Sequence, residues 1–320
     1  MGRLDPDRVG VRVPATSANL GPAFDCAGLA LGLHDVLEFA VVPSGLAVEI
    51  SGVGAGELPT DERHLVVRAF RAASDELGWT PSGLHLSAAN AIPQGRGMGS
   101  SAAAVVAGVM AAWALCPDVE SVDLNAVLRL TTAMEGHPDN VAACLHGGAT
   151  LTWTREDGDI GAEVLEVDPE VLPVVLVPDA TLSTEAARGL LPDVVPHADA
   201  AFNAARAALL VLALTREPAW LLEATEDRLH QRQRAGAMPD TLALIDRLRA
   251  AGFPAVVSGA GPSVLVLTRR DPEVPHGSAT AQPRVRDIAD LTPPGWRVLP
   301  LDVDGTGARL TRPLREVSTS

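Results

Sequence analysis

The sequence contains no lysine; all 25 of its basic side chains are arginine. That absence excludes a Walker-A phosphate loop, a pyridoxal Schiff base and a lysine general base. It reads as a preference for GC-rich codons rather than as chemistry, but anion binding must then rest on arginine, backbone N–H groups, helix N-termini or a metal. Cysteine is scarce. Cys26, Cys116 and Cys144 are odd in number and far apart, which suits a reducing compartment and shows no metal-ligand spacing. No apolar run reaches the length of a membrane span, and the N-terminus lacks the apolar core of a signal peptide. A cytoplasmic protein with no membrane partner is therefore expected. Basic charge is also in deficit: a net charge of −15 argues against a nucleic-acid partner, which would need a basic face.

What is present is a chain of 320 residues, 47% of them hydrophobic, enough for two cores. A change of texture near 168–172 predicts domains over 1–170 and 171–320. Strands are expected at 9–15, 36–42, 46–51 and 84–89, and helices at 61–78, 100–115 and 121–134. The helix over 100–115 is apolar on nearly all sides, the pattern of a buried central helix. The texture changes after 147–153 and 163–167; a buried strand is expected at 171–178, and helices at 184–189, 198–215, 218–230 and 239–251. Strands at 253–259, 263–268 and 296–304 complete the second half. A mobile loop over 271–283 and a frayed tail over 309–320 are expected from composition.

The stretch IPQGRGMGSSAAA, residues 92–104, joins a strand to the central helix. Glycines allow a sharp turn and close approach of a ligand to the backbone. The helix start offers unpaired N–H groups and a positive dipole end to an anion. Ser100 and Ser101 could donate to phosphate or ligate a divalent cation. Alone, the stretch could equally be a glycine turn capped by serine. Two other segments accompany it: SGAGPS at 258–263, which alone could be a tight hairpin, and PATSANLGPAFDCAGLAL at 14–31.

Together, in this order, the three segments resemble the GHMP kinases, small-molecule kinases named for galactose, homoserine, mevalonate and phosphomevalonate. Pro93, Gly97, Gly99, Ser100, Ser101, Ala102 and Ala103 match the superfamily's phosphate-loop pattern, with Met98 where leucine is usual. Thr16 to Asp25 (TSANLG-x-x-FD) and His137 to Val141 (HPDNV) are similar to the members that act on homoserine. The resemblance runs from about residue 9 to 304 and implies an α+β two-domain fold. The N-terminal part should be like domain 2 of ribosomal protein S5 and the C-terminal part ferredoxin-like. It implies ATP and Mg²⁺, L-homoserine as substrate in threonine biosynthesis, and a homodimer.

Site residues follow from the same resemblance. Pro93, Gln94, Gly95, Arg96, Gly97, Met98, Gly99, Ser100, Ser101, Ala102 and Ala103 would form the nucleotide loop. Ser101 and Glu135 would hold the metal. Asp25, Asp139 and His137 would form the cluster that meets the substrate ammonium, and Arg188 and Arg234 would grip its carboxylate with bidentate forks. Asn19 would hold the hydroxyl and Thr184 would lie near the reacting phosphate. Asn140 stands near where other superfamily members place an aspartate treated as the base. An amide cannot take a proton, so catalysis without a dedicated side-chain base is expected. His64 stands where many relatives have an asparagine that contacts adenine, and an imidazole can still stack or hydrogen-bond there.

Overall fold

The computed structural model describes residues 7–274 and 278–312. The chain opens with β1 (Arg8–Ala18), β2 (Ala27–Val41), β3 (Gly45–Gly52), α1 (Leu65–Glu76) and β4 (Gly83–Asn90). α2 (Ser100–Leu115), α3 (Leu124–Glu135) and α4 (Asp139–His146) follow, then β5 (Ala149–Thr154), β6 (Ile160–Leu165) and β7 (Val171–Val177). The remainder comprises α5 (Thr184–Arg188), α6 (His197–Thr215), α7 (Leu221–Ala224), α8 (Pro239–Ala250), β8 (Ala255–Val257), β9 (Val264–Arg269), α9 (Pro283–Leu291), β10 (Arg297–Pro300) and β11 (Arg309–Thr311).

Two sheets result, as an α+β fold requires. The larger has the order β11-β1-β2-β4-β3, and β5 joins the early part of β2 and carries β6. The smaller has the order β10-β7-β9-β8. The run VLPVVLV of β7 is buried throughout because both faces of the small sheet are covered. Val171, Val175 and Val177 belong to the core shared with the larger sheet. Leu172, Val174 and Leu176 point into a second core with Leu244, Ile245 and Leu248 of α8.

α2 is the central rod the composition predicts. Eleven of its residues are buried, from Ala102 to Leu115. Gly108 lets α1 approach: a Cβ there would lie 2.4 Å from the Val66 carbonyl oxygen and 2.9 Å from the Phe70 nitrogen. α3 begins at residue 124, not 121, because the Asp123 side chain caps the N–H groups of Asn125 and Ala126.

Several expectations need correction. β2 starts at Ala27, earlier than 36, and packs under α4; a Cβ on Gly28 would lie 2.2 Å from the Asp139 carbonyl oxygen. The helix expected over 218–230 is broken. Only a 3₁₀ turn at Pro218–Trp220 and the single turn of α7 form, because the Asp227 carboxylate takes the N–H groups of Leu229, His230 and Gln231. Of the expected loop 271–283, residues 279–281 form a 3₁₀ turn and Pro283 starts α9, proline being suited to a first helical turn; its residues 275–277 lie outside the described residues. Of the expected tail, Arg309–Thr311 forms β11 against β1, and 313–320 lie outside the described residues.

One apolar helix also meets the length of a span. α6 has 19 residues and a mean hydropathy of 1.4, contrary to the reading that no run does. It includes Asp199 and Arg206, and it buries Leu210, Ala213 and Leu214.

The α1–α2 contact supplies a test. Gly108→Val is expected to lower stability by about 1–3 kcal/mol through overpacking, seen as a lower urea midpoint with an unchanged far-UV spectrum. A midpoint equal to the parent's would show that α1 yields at no cost.

Candidate active site

The loop between β4 and α2 is built from backbone. Gly95, Gly97 and Gly99 all have positive φ, 63° to 68°. Space as well as φ demands glycine at two of them. A Cβ on Gly97 would lie 2.1 Å from the Ser258 carbonyl oxygen, and one on Gly99 1.9 Å from Thr16 Oγ1. Gly99 precedes α2 with no side-chain cap, so the helix start presents its N–H groups and dipole end openly. Thr16 donates its N–H to the Met98 carbonyl at 3.1 Å and its hydroxyl to Asn140 Oδ1 at 2.8 Å. β1, the loop and α4 are thereby tied together.

Ser101, in the first turn of α2, donates to Glu135 Oε1 at 2.5 Å. Glu135 is the last residue of α3, whose C-cap Gly136 takes the left-handed conformation at φ 83°. Burial pushes the Glu135 carboxyl above its ordinary value, and the Ser101 bond and nearby His137 oppose that only in part. A half-buried carboxylate beside a hydroxyl at an open helix start fits a hard divalent cation, which takes oxygen ligands and keeps phosphate and water in its remaining positions. No group of three or more His, Cys, Asp or Glu is arranged to hold a metal ion among the described residues, so these two side chains would be the protein's share.

Beside them lies a cavity of about 250 Å³ whose walls include Leu37, Leu58, Leu65, His64, Ser100 and Ser101. His64 is buried, its Nδ1 has no partner, and burial lowers its pKa. The mostly apolar walls and one neutral imidazole with an idle nitrogen suit a flat heteroaromatic ring.

On the other side of the loop, residues 19–25 hold an unusual backbone. Asn19, Leu20 and Asp25 have φ of 71°, 45° and 56° and are the non-glycine residues with positive φ among those described. Such strain clusters where structure over-determines a site. Asn19 donates to the Gly259 carbonyl at 3.0 Å and accepts the Asp25 N–H at 3.0 Å. Arg188 forks onto Asp25 at 2.9 and 2.6 Å. Arg234 is 1% exposed. Its Nη1 lies 3.2 Å from His230 Nδ1 and 3.4 Å from the Gly259 carbonyl oxygen, and its Nε has no partner. Burial, then the charge of Arg188, lowers its pKa. Both guanidiniums lie 5.5 Å over the Phe24 ring. His137 Nδ1 meets Asp139 Oδ1 at 2.9 Å, and that bond, chiefly, raises the His137 pKa.

The structure gathers Ser100, Ser101, Glu135, His137, Asp139 and Asn140 around one end of α2, and Asn19, Asp25, Arg188 and Arg234 around Gly259. Other sequence candidates are placed differently. Thr184 is exposed at the start of α5 with no recorded bond, although Leu182, two residues earlier, donates its N–H to Gly95. The Arg96 guanidinium donates to the carbonyls of Gln94, Pro178 and Asp179, so it braces the loop. The side chains of Pro93, Met98, Ala102 and Ala103 are buried, leaving their backbone to meet a ligand. Gln94 lines the cavity.

Sequence reasoning missed Ser258, whose hydroxyl bonds Ser17 Oγ at 2.8 Å and the Gly97 carbonyl at 2.6 Å. Its segment was conspicuous, but its serine was not. Asp35, which takes the N–H groups of Ala91 and Ile92 and lines the cavity, gives no sequence signal. Neither does His230.

A mostly apolar cavity, an open helix start and a serine–glutamate pair beside a polar pocket fit a phosphotransferase of small molecules. The family models agree: GHMP kinases N terminal domain matches residues 64–148, and GHMP kinases C terminal matches residues 205–276. The homoserine kinase of Streptomyces avermitilis is 54% identical over 94% of this chain and 94% of its own. That of Leifsonia xyli is 50% identical over 95% of this chain and 92% of its own. A crystal structure of homoserine kinase from Cytophaga hutchinsonii superposes with a TM-score of 0.80 at 25% identity, covering 97% and 99% of the two chains. The chain belongs to the homoserine kinase family of the GHMP kinases.

Glu135→Gln tests the half-buried carboxylate in two ways. A raised acid favours the folded state only below its unfolded pKa of about 4.5; that contribution is lost as pH rises through the higher folded value. At pH 8 the amide variant is therefore expected to melt above the parent, while turnover falls about 100-fold or more. An unchanged melting temperature together with full turnover would remove Glu135 from the site.

Proposed function

We propose that the protein transfers the γ-phosphoryl group of ATP to the side-chain hydroxyl of L-homoserine, a step toward threonine. The observation that carries this reading is the Ser101–Glu135 contact at the uncapped start of α2. The triphosphate would lie along the 95–101 backbone, with the base in the cavity beside His64. Mg²⁺ held by Ser101 Oγ and the Glu135 carboxylate would neutralise charge on the phosphates. Phosphoryl transfer passes through a loose transition state, so alignment and charge stabilisation carry the rate.

The polar pocket complements a zwitterion with a short hydroxyl arm. Arg234, buried with an idle Nε, suits the substrate carboxylate. Asp25 and Asp139 suit the ammonium, and the fork of Arg188 onto Asp25 fixes that carboxylate until substrate arrives. Asn19 has spent its carbonyl and one N–H, and its second N–H remains for the hydroxyl. Thr184 would reach the phosphate only if its exposed turn folds over the loop.

We place no side-chain base in this reaction. The nearby carboxylates are engaged: Asp139 by His137 and the Asn140 N–H, Asp25 by Arg188. Asn140 fixes Thr16 instead. The hydroxyl proton would leave with the forming bond, to the phosphate or to water. A cytoplasmic location and a split into units over 1–170 and 171–320 belong to the same reading, as does a homodimer. Exposed apolar side chains support association: Leu212 on α6 is 40% exposed and Val194, before its start, 83%.

The experiment is a coupled ADP-release assay over homoserine, serine, threonine, mevalonate and galactose, with and without Mg²⁺. Homoserine with Mg²⁺ is expected to stand alone, and equal rates with mevalonate would overturn the assignment. Arg234→Met is expected to raise the homoserine KM by about tenfold or more, the loss of a charged hydrogen-bond partner, with little change in the ATP KM. Asn140→Asp is expected to add a low-pH limb to the rate profile. A carboxylate limb already present in the parent, abolished by Asp139→Asn, would show that a base exists.

A further inference from the structure

The segment from Thr225 to Arg234 works on two fronts. On one, His230 Nε2 lies 2.7 Å from the Gly21 carbonyl oxygen and Arg234 enters the substrate pocket. On the other, the segment lines a separate cavity of about 450 Å³ shared with Phe202 of α6 and with α8. Arg206, Arg228, Arg232 and Arg249 all border it, against only Glu226 and Asp227. In a chain of net charge −15, four arginines around one hollow are a local concentration of guanidinium donors.

Carboxylates answer three of the four arginines directly and leave Arg249 without one in contact. The Asp227 carboxylate is occupied by three backbone N–H groups and by the Asn203 amide at 2.9 Å. Glu226 pairs with Arg206 at 2.8 Å, and Arg232 forks onto Asp246 outside the lining. Arg228 reaches Asp199 only at 3.4 Å and lies 3.8 Å over the Phe202 ring. Arg249 is half-buried and touches neutral acceptors: Thr225 Oγ1 at 2.9 Å and the carbonyls of Leu222 at 2.6 Å and Ala255 at 3.3 Å. No carboxylate lies within ion-pair distance of it among the described residues. Glu226, Asp246 and Glu223 act on this guanidinium only at a distance, and its fork geometry matches an oxyanion.

We propose that this cavity binds a phosphate group, free or carried as the monoester of a small metabolite, with Arg249 and Arg228 as its main donors and Phe202 as one wall. Its volume exceeds what a bare phosphate fills, which leaves room for the body of an ester. The assignment stands apart from the identity of the kinase substrate, since no residue proposed to hold ATP or homoserine lines the cavity.

Calorimetric titration tests it, with enzyme first saturated with Mg²⁺, a non-hydrolysable ATP analogue and homoserine so that the catalytic site is filled. Inorganic phosphate and glycerol 3-phosphate are the probes, at low ionic strength. Saturable binding of one equivalent is expected, and the tighter of the two identifies free phosphate or an ester as the source. Arg228→Gln is expected to weaken binding about tenfold with turnover unchanged, and Arg249→Gln at least as much. Should Arg249→Gln fail to fold, Arg228→Gln with Arg232→Gln gives the same reading from exposed positions. Undetectable binding at millimolar probe, or equal affinity in parent and Arg228→Gln, would overturn the site.

Discussion

Much of this molecule depends on one small hydroxyl. Ser258 Oγ joins Ser17 on β1 to the carbonyl of Gly97 in the phosphate loop, linking segments separated by 241 and 161 positions. The next residue extends the seam: Gly259 donates its N–H to Ala18 and accepts from Asn19 and Arg234. The glycine loop is held from behind by Ser258, by Thr16 and by the Arg96 guanidinium on the carbonyls of Gln94, Pro178 and Asp179, and the absence of Cβ atoms at Gly97 and Gly99 lets these contacts close. The proposed anion site needs no lysine, because oriented N–H groups and a helix end would supply its donors.

The site is expensive to fold. Glu135 is a half-buried carboxylate, Arg234 a buried guanidinium with an idle Nε, His64 a buried imidazole with an idle nitrogen, and Asn19, Leu20 and Asp25 hold left-handed backbone. Each is the kind of feature that costs stability and persists because surrounding structure enforces it. The enforcement comes from the large core around α2 and from β7 and β9, whose alternate residues enter two cores. Rigidity of the rod transmits directly to the open turn at its N-terminus.

Legibility in the sequence followed the strength of local pattern. α2 was readable to the residue because its flanking glycine and apolar run are both extreme. β3, β4 and β7 were readable from period and composition. The break in the helix expected over 218–230 was not, since Asp227 diverts N–H groups that helical periodicity assigns to the next turn. The start of β2 was hidden by glycine chosen for close approach to α4, and α9 by a proline that looked like loop chemistry. In the site, Ser101, Glu135, His137 and Asp139 were legible because motif and element end coincide. Ser258, Asp35 and His230 act through partners about 57 to 241 positions away, and a single sequence carries no record of such distances.

The sequence by itself determined the family of chemistry. Three glycines in alternation before a buried apolar helix, with two serines at the junction, can expose backbone donors to an anion whatever packs around them, because φ freedom and helix polarity are local properties. Only the tertiary structure decided which side chains are spent on architecture and which remain for a ligand. Arg96 became a brace on carbonyls, Arg188 a fork on Asp25 and Arg234 a buried charge with a free nitrogen, although as residues the three are identical. The difference lies in desolvation and partner geometry, and those exist only once distant segments are brought together.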